Sequence, residues 1–479
     1  MARSTSLSGF AEWLPQERLV EMHVLDLLRQ VFERHGFGSI ESRAVETRDT
    51  LLQKGEIDKE IYAVSRLQGS DEPEEAKSSD GRLALHFDLT VPFARYVVEN
   101  SGHLHFPFRR YQIQKVWRGE RPQDGRFREF TQADIDMVGD GTLPFRADVE
   151  IAVVMLTALQ ELGIGEFTMQ VNNRKLAEGF YRAIGLTDSG AVLRSIDKLQ
   201  KIGAEKVAAE LIETTGCSED QAQRALALAS VRTADTSFAA TARQLLAEAT
   251  EPADDDAVAL FEEGLAELSD VVDELNRRHP GRVLADLSIA RGLDYYTGTV
   301  YETVLQGHES LGSICSGGRY ESLASVGKRT FPGVGLSIGV TRLVSRLLAE
   351  NSLEASRSVP TAVFVALRDD QAWSQAQDTA AALRRRGINT EVALKAEKFG
   401  KQIRHADRRG IPFVWFTDEE GQHEVKDIRS GEQLPADPAT WTPPQSDLQP
   451  AVQQSPVRQS AVQRRAETAS GPSAVDSSA

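Results

Sequence analysis

The sequence predicts an α+β chain in which a mostly antiparallel sheet domain is interrupted by a helical insertion and followed by a small α/β domain and a disordered tail. Three observations predict it. Strand-like segments stand on both sides of an Ala/Leu/Glu-rich helical stretch from roughly 172 to 282. After residue 361 strands and helices alternate. From 446 the chain has no aromatic residue and is rich in Ser, Gln, Ala and Pro, a composition that cannot bury a core. The expected parts are 1–171 and 283–350 for the sheet domain, 172–282 for the insertion, 357–437 for the α/β domain and 446–479 for the tail.

Taken in order, "PQERLVEMHVLDLLRQVFERHGF" places Leu19, Val24, Leu27, Leu28, Val31 and Phe32 at helical spacing, opens on Pro15 and stops at Gly36. It predicts an amphipathic helix. "LALHFDLTVPFARYVVEN" alternates and then turns helical, while "FRRYQIQKVW" and "FREFTQADIDMVG" flank the turn "RPQDG" as two strands of a hairpin. The insertion ends in "EPADDDAVALFEEGLAELSDVVDEL", which carries ten acids and no base. Strand patterns return in "VLADLSIARGLDYYTGTVYETV" and "GVGLSIGVTRL". In the last domain "TAVFVAL", "INTEVAL" and "PFVWF" are separated by two helical stretches, which predicts parallel strands; twelve Lys/Arg balance twelve Asp/Glu between 361 and 434.

A chain of 479 residues exceeds one compact core, and 41% hydrophobic with 26% charged residues fits a globular protein. No run of eighteen apolar residues occurs, and "MARSTSLSGFAEWLPQER" lacks the apolar centre of a secretion signal, so a cytoplasmic protein with no membrane partner is expected. Two cysteines, Cys217 and Cys315, cannot make a disulfide framework, and no Cys/His cluster offers a zinc site, so no metal ligand is assigned. Cys315 reads as a small buried residue. A formal net charge of −16 argues against unspecific coating of DNA or RNA but leaves room for a local basic site.

Such a site stands out. Segment 109–128 holds seven Lys/Arg against two acids, with Arg118 and Glu120 ending one strand and Arg126 and Arg128 opening the next. Guanidinium groups on rigid strands suit phosphate, and the loop with Arg121 and Gln123 can reach a second polyanion. Along the second strand Gln132, Asp134 and Asp136 share one face and Ala133, Ile135 and Met137 the other. Taken alone, that pattern reads as a solvated polar face on a sheet. "GVGLSIG" has the wrong spacing for a dinucleotide loop, which argues against a nicotinamide enzyme.

"VWRGERPQDGRFREF" resembles motif 2 of the class II aminoacyl-tRNA synthetases and "GVGLSIGVTRL" resembles their motif 3. "ARGLDYYTGTVYE" and "CSGGRYESL" resemble the two histidine motifs of the histidyl-tRNA synthetase family, and "HFDLTVPFARY" its strand before motif 2. "KFGKQIRHADRRGIPFVWF" with "VKDIRSGEQ" is similar to the family's anticodon-binding domain. The resemblance spans about residues 9–437 and implies a class II antiparallel-sheet catalytic domain, ATP with Mg2+, L-histidine and histidine tRNA as partners, and a homodimer. It also implies a site. Arg118, Glu120, Arg126 and Arg342 would hold ATP, and Arg291 would face the α-phosphate and the substrate carboxylate. Asp88, Thr90 and Gln132 would hold the amino group of histidine, Asp136 and Tyr296 its two ring nitrogens, Tyr295 would also bind histidine, and Tyr320 would close the pocket. Arg121 and Gln123 would read the 5′ end of the tRNA. Arg43 stands where the family usually has proline, Glu321 where aspartate is usual, and Asp88 and Asp136 where some members carry glutamate.

The residue types suit that chemistry. Adenylation brings a carboxylate against a phosphate, two anions that repel, so Arg118 and Arg291 supply the needed cations. No general base is needed, because the carboxylate is already a nucleophile at neutral pH. Partners at both ring nitrogens would reject isosteres that leave them unpaired. The alternative is a regulatory paralogue that senses histidine and has lost tRNA charging; it is opposed by the retained Arg118, Gln132, Arg291 and Arg342 and by the C-terminal domain.

Overall fold

The structure, a computed structural model, describes residues 7–52, 61–65, 83–123, 125–248, 254–290 and 295–454. The chain divides into two compact units, one made of Met1–Ala11 with Leu25–Leu343 and the other of Glu12–Val24 with the chain from Val344 on.

The first unit is built on a nine-stranded sheet. Its strands in chain order are β1 (Gly38–Ser39), β2 (Phe108–Trp117), β3 (Glu129–Val138), β4 (Phe167–Asn173), β5 (Arg232–Thr233), β6 (Val283–Asp286), β7 (Tyr296–Leu305), β8 (Ser313–Tyr320) and β9 (Gly333–Gly339). Their spatial order is β1-β2-β3-β9-β8-β7-β4-β6-β5, with parallel pairing only at β1–β2 and β4–β6. The expected hairpin is present: β2 and β3 pair from Phe108 opposite Val138 to Trp117 opposite Glu129.

Pairing in register builds rows across the sheet. Arg110, Asp136, Gly335, Gly318 and Val300 stand opposite one another in one row, and Gln112, Asp134, Ser337, Ser316 and Glu302 in the next row on the same face. The other face is apolar, with Ala133, Ile135, Leu336 and Ile338 fully or almost fully buried, and helix Arg146–Glu161 packs on it through residues such as Ile151 and Met155. Even there one charge is held: Arg319 pairs with the buried Asp148 at 2.7 Å.

The polar face is where the sequence misleads. Gln132, Asp134 and Asp136 are only 9%, 3% and 3% exposed, so the solvated-face reading is wrong. A helix far away in sequence helps to cover them: Thr90–Asn100 brings the Phe93 ring to 4.2 Å from the Arg110 guanidinium carbon. Within "HFDLTVPFARY" the strand Leu83–Leu85 lies just upstream and the segment itself turns helical from Thr90, so its second half is not a strand.

In the N-terminal helix, Pro15–Arg34, the buried stripe is Val20, Val24, Leu28, Val31 and Phe32, so Val20 joins it while the expected Leu19 and Leu27 lie at its margin. Between the sheet strands, helices Arg174–Ala183 and Asp255–Arg278 come into backbone contact; a Cβ on Gly179 would lie 2.3 Å from the Phe261 nitrogen, and one on Gly264 2.1 Å from the Leu176 nitrogen. Helices Ser189–Ile196, Ala204–Thr215, Glu219–Ala229 and Phe238–Ala247 lie between them in sequence.

The second unit holds a five-stranded sheet of β10 (Val363–Val365), β11 (Thr390–Val392), β12 (Phe413–Thr417), β13 (His423–Asp427) and β14 (Gln433–Pro435), ordered β11-β10-β12-β13-β14. The three predicted strands are parallel as expected, while β13 and β14 add an antiparallel edge that the sequence reading lacked. The tail begins later than 446. Asp447 pairs with Arg429 at 2.8 Å, and Val452–Gln454 pairs antiparallel with Leu353–Ala355. A segment too polar for its own core is thus anchored by strand pairing and charge; residues 455–479 lie outside the described residues.

Candidate active site

The connection from β2 to β3 is closed by backbone bonds: Arg118 N–H donates to the Arg128 carbonyl at 2.8 Å, and Arg126 N–H to the Gln123 carbonyl at 2.9 Å. Gly125 turns there with φ +68°, in the left-handed region that glycine tolerates, and a Cβ at this position would meet Leu311 at 2.4 Å. Arg121 and Gln123 are exposed at the loop tip.

Below the loop lies a cleft lined by Arg118, Glu120, Arg126, Gln132, Ser337 and Arg342, among others. Arg118 is fixed by donating Nε–H to the Phe87 carbonyl at 3.0 Å and by lying over the Phe130 ring at 5.1 Å. Arg342, in the first turn of helix Val340–Ala349, donates Nε–H to the Gly125 carbonyl at 2.9 Å and Nη1–H to the Ser313 carbonyl. Loop tip, sheet and helix are thereby tied together. Arg126 faces Glu120 at 3.4 Å. With three arginines against one carboxylate among these lining residues, the cleft is a site for an anion.

The cleft continues onto the buried polar face. Gln132 donates Nε2–H to Ser337 Oγ at 2.9 Å, and its Oε1 has no hydrogen-bond partner among the described residues. Asp88, 4% exposed, accepts the Val91 N–H at 3.2 Å and so sits at the start of the helix that Thr90 opens. Asp136 is held on both oxygens: Arg110 reaches Oδ2 at 2.6 Å, and the Tyr320 hydroxyl donates to Oδ1 at 2.9 Å. Room for this carboxylate comes from Gly335, where a Cβ would lie 2.1 Å from Oδ1. Tyr296 stands opposite Tyr320 in register and stacks obliquely on Tyr295 at 4.2 Å. Burial raises the Tyr295 and Tyr320 phenols, which stay protonated and able to donate. Burial likewise pushes the Asp134 carboxyl up to about 7, against the pull of Arg110 and with added repulsion from Asp136.

The structure therefore brings Arg118, Glu120, Arg126, Gln132, Asp136, Tyr296, Tyr320 and Arg342 to one sheet face and cleft, with Asp88 and Thr90 at the start of a helix, Tyr295 against Tyr296, and Arg121 and Gln123 at the loop tip. Arg291 lies outside the described residues. Sequence reasoning missed Arg110 and gave Asp134 no role. Among the described residues no group of three His, Cys, Asp or Glu side chains could hold a metal ion.

An antiparallel sheet whose hairpin loop and following helix both present arginines to one polar cleft is the catalytic domain of a class II aminoacyl-tRNA synthetase. The comparisons narrow the class. The histidyl-tRNA synthetase family matches residues 9–343 and an anticodon-binding domain matches 361–439. A histidine–tRNA ligase of Micrococcus luteus is 66% identical over 463 residues, 94% of this chain and 99% of that protein. One from Cutibacterium acnes is 56% identical over 94% of this chain and 99% of its own length. The crystal structure of histidyl-tRNA synthetase from Nostoc sp. PCC 7120 matches with a TM-score of 0.77 at 35% identity, covering 91% of this chain and 97% of that one. The chain belongs to the histidyl-tRNA synthetase family and is an aminoacyl-tRNA ligase.

Proposed function

We infer that the chain activates L-histidine with ATP to histidyl-adenylate and pyrophosphate, then passes the histidyl group to the 3′ end of histidine tRNA. The observation that carries this reading is the continuity of an arginine-lined cleft with a buried polar face of the same sheet. In the first step the histidine carboxylate attacks the α-phosphate, with Arg118 and Arg291 as the cations that offset the meeting of two anions. Arg126 and Arg342 hold the rest of the nucleotide. Asp88, Thr90 and Gln132 receive the amino group, Asp136 with Tyr295 and Tyr296 the ring, and Tyr320 fixes Asp136 from the side. Arg121 and Gln123, exposed on the loop, meet the end of the tRNA.

Glu120, the carboxylate of the described cleft lining, would hold Mg2+ together with the phosphates of ATP, and the ion would supply neutralisation of phosphate charge. The working form is a homodimer in the cytoplasm. A regulatory paralogue without tRNA charging is disfavoured by 66% identity to a histidine–tRNA ligase and by the anticodon-binding domain. Exchange of labelled pyrophosphate into ATP, dependent on histidine and on no other amino acid, is the expected result for the purified protein. A folded protein that binds ATP yet shows no exchange would remove the adenylation reading.

A further inference from the structure

We propose that Arg110 is a specificity-setting positioning residue: by cancelling the charge of Asp136 from behind, it makes the ring-binding carboxylate select neutral imidazole over imidazolium. The proposal rests on the reading that Asp136 receives the histidine ring. Arg110 is fully buried and has no route to substrate phosphate; it lies between the Phe93 ring at 4.2 Å and Asp136 Oδ2 at 2.6 Å. None of its three guanidinium nitrogens has a hydrogen-bond partner among the described residues, so the ion pair with Asp136 and the ring hold it. A buried cation kept in this way answers a fixed anion.

The consequence for a ligand follows from charge. A buried carboxylate without a counter-ion attracts a cation strongly and would raise the pKa of a bound imidazole. With guanidinium already on Oδ2, the pair is neutral as a whole but its carboxylate still accepts an N–H. A second cation beside Arg110 would be repelled, whereas a neutral ring donates at no such cost. The other charged or titratable groups around the pair are Asp134, Asp88, Arg118 and the phenols of Tyr295, Tyr296 and Tyr320. Burial keeps the Tyr295 and Tyr320 phenols protonated at neutral pH. Asp134 is the group that can change charge in the same range as free histidine, and it must be controlled for.

The test is the pH profile of histidine-dependent pyrophosphate exchange between about pH 5.5 and 8.5 for the wild type, Arg110→Met, Arg110→Lys, Asp134→Asn and Asp136→Asn. The wild type should lose kcat/KM for histidine in step with ring protonation, roughly tenfold one pH unit below a ring pKa of ~6.5. Arg110→Met should flatten or reverse that acid limb, through KM rather than kcat, while Arg110→Lys keeps it. Asp134→Asn should keep it too; if the limb disappears in that variant, Asp134 and not the substrate ring is titrating, and the proposal fails. A uniform loss in Arg110→Met at every pH would overturn it as well, leaving a purely structural arginine. Should that variant not fold, the wild type still decides: histidine affinity that rises as pH falls below the ring pKa contradicts the selection of neutral imidazole. An unchanged histidine KM in Asp136→Asn would instead sink the underlying assignment of Asp136, a separate failure.

Discussion

The two ends of the substrate cleft use arginine in opposite ways. At the nucleotide end Arg118 and Arg342 are positioned by backbone carbonyls of Phe87, Gly125 and Ser313, which are neutral acceptors. At the amino-acid end Arg110 is positioned by the carboxylate of Asp136. At Arg118 a carbonyl fixes the guanidinium and leaves its charge for an incoming phosphate; at Arg110 a carboxylate fixes it and uses that charge up. The same residue type therefore makes one end of the cleft cationic and cancels the charge of Asp136 at the other.

The sharpest way to break this contrast is at the cationic end. Arg118→Ala should lower kcat for adenylation by about 10²–10³, close to the loss for an electrostatic donor to a developing charge, with thermal stability little changed. A loss confined to KM for ATP would place Arg118 in binding alone. At the neutral end Gly335→Ala should raise KM for histidine by roughly tenfold and leave KM for ATP alone, since the new Cβ must push Asp136 Oδ1 from 2.1 Å. Equal changes in both constants would mean that the two ends are not independent.

A third measurement isolates Asp134. Its carboxyl is raised from 3.8 to about 7 by burial, so the folded state binds the proton more tightly than the unfolded state does. The sign follows directly: this contribution to stability is complete below about pH 4 and is lost as pH rises through about 7, by on the order of a few kcal/mol. Urea unfolding of Asp134→Asn minus wild type should accordingly favour the variant more at pH 8 than at pH 5. A difference that is flat with pH would show Asp134 ionised throughout.

The smallest effects are expected in the C-terminal segment. Truncation after 454 should leave charging and stability unchanged, whereas truncation after 445 removes the Asp447–Arg429 pair and the strand Val452–Gln454 and should cost about 1 kcal/mol of unfolding free energy. Equal behaviour of the two would mean that this short pairing contributes nothing in solution.

Much of the site was legible in the chain itself. The turn "RPQDG" is centred on Gln123, and a hairpin closed symmetrically about that residue puts Arg110 opposite Asp136 and Gln112 opposite Asp134, the register found. Counting outward from the turn would have found Arg110. Burial of the polar face was not legible in the same way. Alternation says which residues share a face, but what covers that face comes from Phe93 and its helix, upstream of both strands, and from Tyr320, far downstream. The edge strands β13 and β14 and the anchored residues 446–454 were missed for a related reason: their order comes from partners rather than from their own apolar content.

The contact of helices Arg174–Ala183 and Asp255–Arg278 has a consequence for how this protein can vary. Their backbones touch at Gly179 and Gly264, and Arg182 meets Asp254 at 3.2 Å, so the chain departs for the intervening helices and comes back at a single seam. Cutting out what is sewn between would unzip the outermost two-residue strand, Arg232–Thr233, and little else of the sheet. A lobe stitched on at one seam can lengthen, shrink or be exchanged across generations while the catalytic floor keeps its shape.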